Sequence, residues 1–176
     1  MNNLVRTTTD PHSTYFKQFL TIGGLVFTDK PTQIWTVLGP CVSVILHSPG
    51  KKISAMCHAQ LVEKEFLSKH HFGSGSNQYT TTTKNIDFRY VAYSVNYMIQ
   101  QFLMMGITTN EIHASIYGGA HLISGLTYNI GFENISIACE MLQNRGVRII
   151  VKDVGGEKSR VIRHYSDTGV THVKVF

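Results

Sequence analysis

Two short apolar segments separated by a turn sequence place the strongest constraint on how this chain folds. The segments are VSVILH at 42–47 and KISAMC at 52–57, and the residues between them read SPGK. Short apolar runs bounded by proline and glycine are typical of buried strands, and a connection this short favours a β-hairpin. The sequence therefore predicts an antiparallel pair of strands over residues 41–58.

The predicted hairpin brings Cys41 and His58 together. If the turn is centred between Pro49 and Gly50, the two residues oppose each other directly, with Cβ atoms roughly 4.5–5.5 Å apart on one face. A thiol and an imidazole at that distance form a nucleophile and its base. Two alternatives stay open. The loop is longer or bulged, since Pro-Gly does not suit the primed turns of tight hairpins; or Cys41 is a small buried apolar residue and His58 a structural histidine.

Length and composition predict one globular domain. The chain has 176 residues, of which 43% are hydrophobic and 15% charged, and this is enough for a full core. No apolar run reaches the length of a membrane span, and the N-terminal residues lack the features of a signal peptide, so we expect a cytoplasmic location. The net charge of +5 comes from scattered basic residues, which a solvated surface explains better than nucleic-acid binding.

The residues that could bind a metal or a nucleotide show no suitable pattern. Cys41, Cys57 and Cys139 form no Cys-x-x-Cys pair, which argues against a zinc ribbon or a disulfide framework. His70 and His71 are adjacent but have no carboxylate or cysteine nearby, so we expect no metal site there. The glycine-rich motifs GxGxxG and GxxxxGK[ST] are absent. We therefore predict no metal and no organic cofactor.

The order of predicted elements favours an α+β fold: a single domain in which mixed and antiparallel sheets form a sandwich-like core, with two main helices packed outside. Residues 1–20 are expected to form a loose N-terminal arm, and residues 21–176 the domain. The polar segment 70–84 is predicted to be a loop, either a solvated insertion or part of a substrate rim. Strands are predicted in the segments IGGLVFTD, TQIWTVLG, HASIYGG, VRIIVKDV, SRVIRHY and VTHVKVF.

Helical periodicity appears in two places. The first helix is predicted between Asp87 and Met105, where apolar residues recur at steps of three and four. The apolar residues of this stripe are Val91, Val95, Met98, Phe102 and Met105. The second helix is predicted over residues 130–145, with Asn129 as its N-cap and Gly146 as its stop. Cys139 is expected on its buried stripe.

Several motifs in one order resemble the chemoreceptor glutamine deamidase family, CheD. The resemblance runs from about Gly23 to Phe176. The segments that carry it are TVLGPCV at 36–42, KKISAMCHAQL at 51–61, IYGGAHLI at 116–123, NIGFENI at 129–135, and KDVGGEKSRVI at 152–162 with the ending TGVTHVKVF. They are similar to the family's TxLGSCV, KxGGMxHxxLP, VFGGAxM, NIGxxN and DxGGxxGRxVxF segments.

This resemblance implies an activity and a set of site residues. It implies hydrolysis of selected glutamine side-chain amides on methyl-accepting chemotaxis receptors, giving glutamate and ammonia. Cys41 would be the nucleophile, His58 the general base, and Thr36 the third residue of the site. The reaction would pass through a thioester on Cys41, which a glutamate methyl ester could also form, and it needs no cofactor. The family also implies a CheC-type phosphatase as a partner.

Three departures from the family's pattern keep a second function open. Pro40 stands where the family usually has serine, and it removes a backbone N–H beside the nucleophile. Val62 stands where the family usually has proline, and Ala92 stands where it often has aspartate. We interpret these two differences as changes of packing or capping. The alternative is therefore a module that binds receptors or a CheC-type protein without turnover. Gly118-Gly119 either permits a turn with positive φ or lets a receptor helix approach the site.

Overall fold

The computed structural model describes residues 6–8, 14–62, 87–122 and 129–176. Within these residues ten strands form two five-stranded sheets. The strands are β1 (Arg6–Thr8), β2 (Phe16–Phe19), β3 (Leu25–Thr28), β4 (Thr32–Leu38), β5 (Val42–Ser48), β6 (Ile53–Cys57), β7 (His113–Gly118), β8 (Arg148–Val154), β9 (Arg160–Tyr165) and β10 (Thr171–Val175). The first sheet has the order β1-β2-β4-β9-β10, and the second has the order β3-β6-β5-β7-β8.

Both sheets are mixed, with one parallel pair in each. The parallel pairs are β2 with β4 and β7 with β8. Every other pairing in the two sheets is antiparallel. The arm predicted over residues 1–20 contributes β1 and β2 to the first sheet, so its described part is paired rather than loose.

In the described part of the chain two α-helices, α1 (Val91–Met104) and α2 (Ile130–Asn144), pack on the outer face of the second sheet. The Asn129 side chain accepts a hydrogen bond of 3.0 Å from the backbone N–H of Phe132, as an N-cap does. The stripe predicted on α1 is buried except for Met105, which lies one residue past the end of α1 and is 52% exposed. Cys139 is only partly buried, and it packs against the core from α2.

Two apolar clusters separate the three layers. One lies between the two sheets and contains Ile34, Ile45, Met56 and Ile162. The other lies between the second sheet and the helices and contains Val44, Ala55, Phe102 and Leu142 among others. Because the second sheet is covered on both faces, every residue of β5 and β6 is buried. The predicted α+β sandwich with helices outside is confirmed.

The hairpin of β5 and β6 forms, but its register differs from the one predicted. Ser48 pairs with Ile53 and Ile45 with Met56, so the turn is centred between Gly50 and Lys51. Lys52 adopts a positive φ of 55°, which lengthens the loop beyond a two-residue turn. Cys41 therefore does not oppose His58 directly. The observed register differs from the predicted one by two residues. Because side chains alternate between the two faces of a sheet, Cys41 and His58 still lie on the same face.

The polar loop predicted over 70–84, with His70 and His71, lies outside the described residues. None of the helices that the structure describes is long and apolar enough to cross a membrane.

A buried polar network joins the two sheets at the end that carries the β5–β6 turn. The Ser54 hydroxyl donates to the carbonyl oxygen of Ser166 at 2.8 Å, so it accepts from His47 Nδ1 at 2.9 Å and from His164 Nε2 at 3.0 Å. His164 Nδ1 then accepts from the Thr171 hydroxyl at 3.0 Å. Burial, and after it the neighbouring His47, lower the pKa of His164 to about 3. Burial also lowers the pKa of His47, so both imidazoles are neutral at pH 7.

We predict that this network makes the protein sensitive to acid. The pKa of His164 falls from 6.5 to about 3 on folding, so between these values the unfolded chain binds more protons than the folded one. The stability contributed by the neutral His164 is complete above pH 6.5 and is lost as the pH falls toward 3. Urea denaturation from pH 7.5 to 4 should show this decline. His164→Gln should weaken it, and an equally steep decline in the variant would contradict the assignment.

Two glycines at the end of β7 allow the backbone to approach residue 41. Gly118 has a φ of 98° and Gly119 a φ of 68°, which is the region where glycine avoids the strain of other residues. A Cβ on Gly118 would collide with the carbonyl oxygen of Cys41, and the N–H of Gly119 donates to that same oxygen at 2.7 Å. The prediction of a positive-φ turn is therefore confirmed, and the close approach is to the chain itself.

Gly118→Ala should destabilise the protein more than Gly156→Ala. Gly156 has a similar positive φ of 71°, but a Cβ there would meet no atom within 4 Å. The control variant Gly156→Ala should therefore lose only about 1–2 kcal/mol in free energy of unfolding, from backbone strain. The collision at Gly118 should add about 1–3 kcal/mol to the loss in free energy of unfolding. Urea denaturation measures both variants, and equal losses would show that the contact with Cys41 is not restrictive.

Candidate active site

Cys41, His58 and Thr36 come from three chain segments at one end of the sandwich. Cys41 immediately precedes β5, His58 immediately follows β6, and Thr36 lies in β4 of the opposite sheet. Their exposed fractions are 7%, 5% and 0%. Thr36 and His58 are joined by a hydrogen bond between the two sheets, and Cys41 belongs to the apolar cluster of the same interior.

Strand alternation explains why these side chains point inward. Cys41 belongs to the cluster between the sheets, whereas Cys57 is fully buried on the helix side of the second sheet. His58 follows Cys57 and takes the opposite face, the face of Cys41. In β4, Ile34, Thr36 and Leu38 are fully buried and share the inward face. The prediction that Cys57 points into the core is confirmed.

A hydrogen-bond chain fixes the His58 ring. The Thr36 hydroxyl lies 2.7 Å from the carbonyl oxygen of Leu20 and 2.7 Å from His58 Nδ1. A hydroxyl has one proton, and the carbonyl can only accept, so Thr36 donates to Leu20 and accepts from Nδ1–H. This tautomer leaves a lone pair on Nε2. That atom is buried, and no hydrogen-bond partner for it lies among the described residues.

The backbone of His58 is held by the glycine turn before β3. The N–H of His58 donates to the carbonyl oxygen of Gly24 at 2.9 Å, and its carbonyl accepts from the N–H of Gly23 at 2.7 Å. Burial lowers the pKa of the His58 imidazole. The ring is therefore neutral at pH 7, in the protonation state that a general base requires.

The Cys41 thiol has a different neighbour from the one predicted. Its Sγ donates to Oε1 of Gln60 at 3.8 Å, a weak hydrogen bond. Burial raises the pKa of the Cys41 thiol, so the resting group is the neutral thiol rather than the thiolate. Together with the neutral His58, this arrangement can perform nucleophilic chemistry only after a proton moves from sulfur to Nε2.

Asn134 of α2 links the two segments that carry Cys41 and His58. Its Nδ2 donates to the carbonyl oxygen of Pro40 at 3.2 Å and to that of Gln60 at 3.1 Å, and the side chain is fully buried. The sequence did not predict the contacts of either Asn134 or Gln60. Asn134 was available as the last asparagine of the NIGFENI motif, whereas Gln60 carried no signal, because a glutamine near a strand end is ordinary.

The other two departures from the family's sequence pattern are Ala92 and Val62. Ala92 is buried in the cluster beneath the helices, and Val62 packs against the same cluster. Both are packing positions, as expected. Across the ranges that the structure describes, no three His, Cys, Asp or Glu side chains come together in a group that could hold a metal ion.

Comparison with known proteins places the chain in a family. The family model described as CheD chemotactic sensory transduction matches residues 74–175, more than half of the chain. The Geobacter sulfurreducens protein named "Probable chemoreceptor glutamine deamidase CheD 2" is 29% identical over 158 residues, covering 89% of this chain and 88% of that protein.

Two further relatives carry the same kind of name. The protein of Maridesulfovibrio salexigens named "Probable chemoreceptor glutamine deamidase CheD" is 29% identical, over 89% of each chain. The Thermotoga maritima protein named "Chemoreceptor glutamine deamidase CheD" is 27% identical, over 87% of this chain and 88% of its own. With the family model matched and the sandwich in place, the chain belongs to the CheD family.

Proposed function

We propose that the protein is a chemoreceptor glutamine deamidase, which hydrolyses glutamine side-chain amides of methyl-accepting chemotaxis receptors to glutamate and ammonia. The observation that carries the proposal is the chain from Leu20 through Thr36 to His58 Nδ1. It leaves Nε2 unprotonated on the face of the sheet that holds Cys41. A neutral imidazole on the same face as a thiol can act as its general base, as cysteine hydrolases require.

In the proposed reaction His58 Nε2 takes the proton from Cys41 Sγ, and the thiolate attacks the side-chain carbonyl carbon of the substrate glutamine. The tetrahedral intermediate collapses as the protonated His58 donates to the departing nitrogen, which leaves as ammonia. A glutamyl thioester then remains on Cys41. His58 draws a proton from water, which attacks the thioester carbonyl and releases glutamate and the thiol.

Burial determines the protonation states of Cys41 and His58 from which this proton transfer would start. It raises the pKa of Cys41 and lowers that of His58, so both effects oppose a thiolate–imidazolium pair in the resting site. The same thioester would form from a glutamate methyl ester with methanol as the leaving group, so receptor methylesterase activity belongs to this proposal. A CheC-type phosphatase is a proposed partner.

A second candidate function is receptor binding without turnover. Pro40 and the Cys41–Gln60 contact favour it, because the thiol proton is directed to Gln60 and not to His58. The two functions differ in the reactivity of Cys41. A working site should react with iodoacetamide at Cys41 faster than at Cys57 or Cys139, and His58→Ala should slow that reaction. Equal and slow labelling of the three cysteines would favour the binding module.

Deamidation should be visible as a change in receptor mass. The protein, incubated with the cytoplasmic fragment of a methyl-accepting receptor, should raise the fragment's mass by about one dalton per modified site, since an amide becomes an acid. Peptide mass spectrometry locates each site. Cys41→Ala should abolish the change. Activity that survives this substitution would refute the assignment of the nucleophile.

The hydroxyl of Thr36 should matter more than its methyl group. Thr36→Val keeps the buried volume but removes the nearer acceptor for His58 Nδ1–H and leaves only the Leu20 carbonyl at 3.4 Å, so the ring is held much less firmly in the reactive tautomer. We expect a loss of deamidation rate of about a hundredfold or more, typical of a disabled general base. Thr36→Ser keeps the hydroxyl and should retain most of the rate. Similar rates for Thr36→Val and the unmodified protein would show that Thr36 does not orient His58.

A further inference from the structure

Gln60 faces Cys41 across the end of the hairpin. Val42 and Ala59 exchange two backbone hydrogen bonds of 2.9 Å each, so they form a hydrogen-bonded pair. The next pair outward is Cys41 with Gln60, and in an antiparallel ladder this is a non-hydrogen-bonded pair with close side chains. The Gln60 carboxamide oxygen accordingly lies 3.8 Å from Cys41 Sγ.

The main chain of Gln60 is fixed while its side chain reaches the thiol. Its N–H donates to the carbonyl oxygen of Arg89 at 2.9 Å, and its carbonyl oxygen accepts from Asn134 at 3.1 Å. Asn134 also holds the carbonyl of Pro40, beside Cys41. The side chain is only partly buried, so it can turn away from Cys41 without any change in the backbone.

The partners of the thiol and of the base show that the two groups are not joined in this state. The thiol proton points to Gln60 Oε1, whereas His58 Nε2 has no partner within the described part of the chain. The group beside the nucleophile is a primary carboxamide on a glutamine side chain. This is the group that a glutamine deamidase must bring to the same sulfur.

We propose that the carboxamide of Gln60 stands in for the substrate's carboxamide in the resting site, and that a substrate glutamine displaces it and thereby releases the Cys41 thiol to His58. This inference rests on the proposed function. It adds no chemical step: the Gln60 contact is a hydrogen bond that must break before the thiol proton can reach Nε2. Gln60 would therefore compete with substrate binding and leave the later steps unchanged.

The test is Gln60→Met, which preserves side-chain volume and flexibility but replaces the amide oxygen by a weak acceptor. Alkylation of Cys41 by iodoacetamide at pH 7.5 should become about two- to tenfold faster, the effect of losing one modest hydrogen bond. Its pH profile should move to lower pH. Gln60→Glu should do the opposite, because a carboxylate next to the sulfur disfavours the thiolate. A rate in Gln60→Met equal to or below that of the unmodified protein overturns the proposal.

The other two cysteines serve as internal controls. Cys57 is fully buried, and its pKa is raised to about 11 by burial. Cys57 and Cys139 should label at unchanged rates in both variants. If their labelling rises together with that of Cys41, the substitution has opened the fold, and the proposal is overturned as well.

Kinetics with a receptor fragment separate this proposal from the proposed function. Gln60→Met should lower KM, since no internal group has to be displaced, and should leave kcat within about twofold. If the unmodified protein deamidates the fragment and Gln60→Met changes neither KM nor alkylation, the deamidase assignment stands and the role of Gln60 falls. If alkylation responds but no receptor glutamine is deamidated, the proposed function falls.

Discussion

Coverage of the second sheet on both faces determines where each group of the candidate site lies. β5 and β6 have the first sheet on one side and the two helices on the other, and all their residues are buried. A slip by one residue would move His58 into the apolar cluster beneath the helices, away from Thr36. A buried imidazole without partners there would cost free energy, so the alternation of faces along these strands is tightly enforced.

Burial also decides how the site can be controlled. With Cys41 and His58 both nearly inaccessible, desolvation favours the neutral thiol and the neutral ring. Charge attraction between the two groups therefore contributes little in the resting state, and their hydrogen-bond partners become decisive. Thr36 brings such a partner from the first sheet, and Gln60 brings another from the chain after β6. Asn134 of α2 instead holds the backbone carbonyls of Pro40 and Gln60.

The sequence predicted the elements well and the details of register less well. The apolar segments, the Asn129 cap and the ends of α2 followed from local patterns, whereas α1 begins at Val91 and not at Asp87. The face shared by Cys41 and His58 followed from a period of two. The direct opposition of Cys41 and His58 was wrong, because the left-handed Lys52 that shifts the turn leaves no mark in composition. Pairing of Phe16–Phe19 with β4, and the contact of Gln60 with Cys41, depend on long-range packing that no local pattern encodes.

Two buried histidines in one sandwich show how the same side chain acquires different roles. His164 has partners for both ring nitrogens, Ser54 and Thr171, so its protons and lone pairs are all engaged and the ring can only stabilise the fold. Within the described ranges His58 has a fixed partner at Nδ1 alone, and its Nε2 keeps a lone pair on the face that holds Cys41. An unpartnered buried nitrogen is a cost to stability, and the fold tolerates it at the end of the sandwich where the thiol lies. This asymmetry in hydrogen bonding, more than burial or pKa, distinguishes the histidine suited to proton transfer from the one that holds the two sheets together.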